Sequence, residues 1–143
     1  MDTITAVRAR LEQAAGLPAI LDAAYDAFED MLPAIEAQQD PGSAAFTAFV
    51  MSGASAANGR DAIAAAPSLP PATHHVATTA RTPTTVTPAQ TAAALTGLSR
   101  VLVSNLNAAA GLSANPGDRA ACASAARHAA AICSLLEGAR EQP

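Results

Sequence analysis

The side chains able to do chemistry are few and scattered. Asp22, Asp26, Glu29 and Asp30 recur at helical spacing and form an acidic stripe. Carboxylates so placed can hold a divalent cation inside a helix bundle, but such centres pair Glu with a His three residues on, repeated on facing helices. No Glu-x-x-His occurs in this chain, so the stripe reads as a solvated helix face. His74 and His75 stand in a polar stretch with Thr73, Thr78, Thr79 and Arg81. Two imidazoles, hydroxyls and a guanidinium could take an anion. They are too few to complete a metal shell, because no third His or Cys lies near them in sequence. No metal site and no cofactor are expected.

His128, beside Arg127, is the third candidate. An exposed imidazole on a four-helix bundle can attack an acyl phosphate. Phosphotransfer helices place Lys and Gly within the next turn, whereas Ala129, Ala130 and Ala131 follow here. The speculative ligand-binding set is therefore His74, His75, Arg81 and His128, and no catalytic residue is assigned. Every basic residue is Arg, so Schiff-base and Lys-nucleophile chemistry are excluded. The phosphate-loop ending Gly-Lys-Ser/Thr, Gly-x-Ser-x-Gly and His-Glu-x-x-His are all missing.

Helices must carry whatever these residues do. Thr87-Pro88-Ala89-Gln90 has the form of a capping box with Pro at the first helical position. Leu95, Leu98, Val101, Leu102, Leu106 and Ala109 then make one apolar stripe, with Thr96, Arg100, Ser104 and Asn107 on the other side. Gly111 is placed to end that helix. Asn115-Pro116-Gly117-Asp118 caps the next, which buries Cys122, Ala125, Ala126, Ala129, Ile132, Cys133 and Leu136 and stops at Gly138. The short connection makes the pair an antiparallel hairpin over 87–140.

Upstream, Thr3 to Ala15 is a short amphipathic helix that turns Ile4, Val7, Leu11 and Ala14 inward and ends at Gly16. A second hairpin occupies 17–66. Its first helix runs from Pro18 to Gln38, bent by Pro33, and buries Phe28, Met31 and Ile35. Its second follows Asp40-Pro41-Gly42-Ser43, turns Phe46, Phe49, Val50, Gly53 and Ala57 inward and stops at Asn58-Gly59, after which Asp61 caps a last turn. Residues 67–86, rich in Pro and Thr, are a linker or a crossover. At ~3.1 Å per extended residue they can span the length of a bundle. The expected fold is all-α: one domain, an antiparallel four-helix bundle of two hairpins, with a short extra N-terminal helix and a long Pro/Thr-rich connection.

Composition points to function. Half of the 143 residues are apolar, but 40 are Ala and only four are aromatic. Ala buries little area at ~25 cal/mol per Å², so the core is thin unless helices pack closely or a second copy covers more surface. The eight Arg are dispersed in a chain of net charge −4, which argues against nucleic acid. No signal-like or spanning apolar run is present, so no membrane is expected and the cytoplasm is the default. Abundant Ala, Arg and Pro without Lys fits a bacterial coding bias. Cys122 and Cys133, about 16 Å apart on one helix, cannot bridge each other. The function expected is a non-enzymatic interaction or assembly module, partnered by itself as a homodimer or by another protein. The alternative is a small-molecule binder or small enzyme whose pocket between the hairpins is covered by the His74-His75 loop.

Overall fold

A computed structural model describes residues 3–71 and 86–140. Five helices follow in order: α1 (Thr3–Gln13), α2 (Leu17–Glu36), α3 (Phe46–Ala64), α4 (Pro88–Leu112) and α5 (Pro116–Arg140). Among the described residues there is no strand. The helices pack as a bundle whose largest interface is α4 on α5. Next come α3 on α5 and α2 on α3, while α1 lies against both α2 and α4.

Local chemistry explains most of the boundaries. Thr87 Oγ1 accepts from the Gln90 amide at 3.1 Å, and Gln90 Oε1 accepts from the Thr87 amide at 2.9 Å, so the capping box is complete. Asn115 Oδ1 accepts from the amides of Gly117 and Asp118 at 2.8 and 3.2 Å, taking the free donors at the start of α5. Gly16 turns the chain between α1 and α2 at φ 87°, the one positive φ among the described residues and a conformation that favours glycine. Asp40 and Ser43 organise the approach to α3, accepting from the Gly42 amide at 3.0 Å and the Ala45 amide at 3.1 Å. Helix α3 therefore begins at Phe46, several residues after Asp40. Helix α2 continues unbroken past Pro33 to Glu36.

Three glycines expected to stop helices do not. Gly59 lies inside α3, Gly111 inside α4 and Gly138 inside α5. Helix α4 runs on to Leu112 and ends at Ser113 in extended backbone, with no left-handed residue. Nor does Asp61 cap a separate turn, since α3 is continuous to Ala64. Gly59 serves packing instead. A Cβ built there would lie 2.4 Å from Cε1 of the fully buried Phe28 ring, so the missing side chain is what admits the ring.

The same contact moves the inward face of α3. The buried residues are Phe49, Ser52, Ala56, Gly59 and Ile63, whereas Val50 is 41% exposed. Phe49 and Ile63 anchor this stripe and rotate Val50 outward. On α4, Thr96 is likewise buried, at 1% exposure, because α1 crosses that side of the helix. Elsewhere the apolar stripes are as expected. Leu95, Leu98, Leu102, Leu106 and Ala109 face Cys122, Ala125, Ala126, Ala129, Ile132 and Leu136 in one core cluster, with Val101 and Cys133 only partly covered. Eleven of the 27 buried apolar residues are Ala, so the space between helices is closed by backbone approach more than by large side chains.

Polar contacts seat the remaining pieces. Asn105 Nδ2 donates to the Leu11 carbonyl at 2.7 Å and ties the end of α1 to α4. Asp118, 1% exposed, accepts from the Ser68 amide at 2.9 Å and the Ser68 hydroxyl at 2.6 Å. The chain leaving α3 is thus fixed at the start of α5. Gln38 Nε2 donates to the Val86 carbonyl and to Thr91 Oγ1, both at 3.2 Å, just beyond the end of α2.

Candidate functional site

The acidic stripe of α2 is an ion-pair surface. Asp26 and Asp22 meet Arg10 of α1 at 2.8 and 3.5 Å, and Glu29 meets Arg60 of α3 at 3.5 Å. Asp30 is also engaged. Carboxylates spread over a helix face and met by guanidinium groups do not converge on a cation. Among the described residues no group of three or more His, Cys, Asp or Glu is placed to hold a metal ion. Tyr25 sits beside this surface, and burial followed by the neighbouring Glu29 charge raises its pKa.

His74, His75 and Arg81 lie outside the described residues. His128 lies on α5, half-buried, next to the exposed Arg127. No other His is among the described residues. The two thiols are similarly separate. Cys122 is buried and Cys133 partly buried, with Cys133 Sγ donating to the Thr96 carbonyl at 3.7 Å. Burial, then the nearby carboxylates Asp118 and Glu137, pushes both thiols above their usual pKa. That suppresses the reactive thiolate.

What stands out is a surface. From Phe46 to Gly59, α3 carries no Asp, Glu, Lys or Arg. Thr47, Val50, Met51, Ala54 and Asn58 occupy its outward side, all exposed, with Met51 at 51%. Their spacing of three, four and seven residues makes one continuous stripe. Helix α3 packs against α2 and α5 on its other sides, and no helix of the described residues lies over this stripe. The chemistry here is non-directional: apolar burial around a flexible thioether, flanked by small side chains that allow close approach.

Sequence reasoning missed this surface because it placed Val50 inward. Phe46, Phe49 and Val50 look alike in a pattern of apolar residues; burial of Phe49 and Ile63 together with the glycine-for-ring contact at Phe28 fixes which way α3 turns. An available signal was the lack of charge over 46–59, which leaves α3 without a normally solvated face.

Comparison of the chain with protein-family models, with curated proteins and with solved structures gives no match. No described helix is long and apolar enough to cross a membrane.

Proposed function

We propose that this chain is a non-enzymatic assembly module that pairs with a second copy of itself through the outward face of α3. The observation that carries the reading is the uncharged stripe with Val50 and Met51 exposed at its centre. At net charge −4 two copies repel over most of their surfaces, and an uncharged face is where that repulsion is least. The stripe is also self-complementary. Met51 is its one long side chain and Ala54 its small neighbour, the arrangement a two-fold interface uses when each copy supplies both knob and hollow. A second copy would add apolar burial to a core in which Ala is the commonest residue.

The architecture proposed for each copy is a single domain, an antiparallel four-helix bundle of two hairpins with α1 laid across it. Contacts between neighbouring helices support it. Glycine positions in α3 face α2 in reverse order, Gly59 at Phe28 and Gly53 at Ile35. Ser68, just past α3, meets Asp118 at the start of α5, and Gln38, just past α2, meets Thr91 at the start of α4. In the proposed architecture neighbouring helices run oppositely while α3 and α4 share a direction. The site of action proposed is the bacterial cytoplasm.

Light scattering after size exclusion tests the pairing. The parent chain at micromolar concentration is expected at twice the mass of one chain, and Met51→Glu at the mass of one. A monomeric parent, or a Met51→Glu variant that stays dimeric, would sink the proposal.

A further inference from the structure

A second feature lies elsewhere on the molecule, between α1 and α4. A solvent-open groove of ≈ 620 Å³ runs there, within the size range of small-ligand sites. Arg8 enters from α1 and Arg100 from α4. Gly97 forms part of the wall. A Cβ at Gly97 would lie 2.6 Å from one terminal nitrogen of Arg8, so the guanidinium rests directly over the α4 backbone. Arg100 is rooted three residues further along, less than one helical turn, or roughly 4.5 Å, from Gly97. Each guanidinium already has a carboxylate neighbour. Glu12 meets Arg8 at Nε, 3.4 Å away, and Glu137 meets a terminal nitrogen of Arg100. A guanidinium carries five N–H donors, so each retains donors for a further acceptor.

The independent observation is Thr96. It lines the same groove, is 1% exposed, and its hydroxyl has no hydrogen-bond partner among the described residues. Ser52 and Ser99 also carry buried unpaired hydroxyls, but of the three only Thr96 belongs to the lining that Arg8 and Arg100 share, a polar wall lacking an acceptor. Ser104, exposed one turn beyond Arg100, adds a hydroxyl at the rim, and Val101 supplies an apolar wall. We infer that the groove binds a small organic oxyanion, a carboxylate or a phosphate monoester, held between Arg8 and Arg100 with Thr96 beneath it. Charge-assisted bonds from a planar fork to a carboxylate or phosphate are the strong form of this contact. The site is independent of the α3 face, so neither proposal stands or falls with the other.

Amide NMR of the full chain, titrated at constant ionic strength with inorganic phosphate or with succinate, tests the inference. A saturable shift confined to Gly97, Ser104 and their neighbours is expected with at least one probe. The probe that saturates tells a phosphate ligand from a carboxylate one. Arg100→Gln should weaken binding about tenfold, as loss of a charged hydrogen bond does. Ser104→Glu, which touches no core residue, should also weaken it. Glu12→Gln, which removes a like charge from the groove, should strengthen it; a purely structural role for Arg8 and Arg100 would not produce that gain. Absence of saturation with both probes overturns the proposal, as does binding that Arg100→Gln and Ser104→Glu leave unchanged.

Discussion

Glycine means three different things in this chain, and single substitutions separate them. At Gly59 an added methyl group gains helix propensity of about 1 kcal/mol. It also meets a fully buried ring at 2.4 Å, where overpacking costs about 1–3 kcal/mol. Crowding wins, so Gly59→Ala should lower the melting temperature. At Gly111 nothing lies within 4 Å of the added atom and φ is not in the left-handed region. Gly111→Ala should therefore stabilise by about 0.5–1 kcal/mol, measured by urea unfolding. A loss there would mean that α4 ends at a left-handed cap after all. At Gly16, φ 87° makes the same change unfavourable despite open space.

The two thiols carry a pH consequence at the same scale. Burial raises their folded pKa, so the unfolded chain loses those protons first as pH rises. Their contribution is complete below the ordinary thiol range and is lost on passing above it. Urea-unfolding free energy should fall from pH 8 to pH 10, and Cys122→Ala with Cys133→Ala should flatten part of that slope.

Among the elements, the capped starts of α4 and α5 and most apolar faces were legible in sequence, while the helix ends and the face of α3 were not. The starts of α4 and α5 follow from Thr87, Gln90 and Asn115, because capping is local chemistry between residues two or three apart. The ends were misread at Gly111 and Gly138 for a physical reason: glycine permits a left-handed stop without requiring one. The inward side of α3 was misjudged because its apolar residues surround the helix, so periodicity alone does not orient it. Asp118 was legible as an acidic residue suited to a helix start. Its partner Ser68, fifty residues away, was not, since nothing local announces a tertiary hydrogen bond. Removing that carboxylate should cost about 1.5–3 kcal/mol, the range for a hydrogen bond to a charged group. Thermal unfolding of Asp118→Ala should show it, with Asp61→Ala, an exposed carboxylate of α3, close to the parent as the control.

For the whole molecule, the all-helical architecture was readable from sequence, while the candidate surfaces were not. Both the α3 stripe and the α1–α4 groove arise where helices distant in sequence leave a side uncovered, which composition does not locate. The excess of Ala did foretell a core short of bulky side chains. If pairing through α3 supplements that core, its salt response is opposite to that of an ion-paired interface. Screening weakens the mutual repulsion of two chains at −4 and leaves an uncharged contact intact. Dimer dissociation measured by analytical ultracentrifugation should therefore weaken, not strengthen, from low to moderate salt.

Alanine-rich helices carry a general ambiguity: small side chains repeat so often that one helix can slide along another by a turn and find nearly equivalent neighbours. The ring of Phe28 removes that freedom. Shifting α3 by one residue would set Asn58 or Arg60 against it, and a shift of one turn would offer Ser55, Ala56 or Ile63, all with a Cβ where the ring sits. The ring and the gap at Gly59 together act as a key and its notch, and they select one alignment from a set that alanine alone would leave almost degenerate.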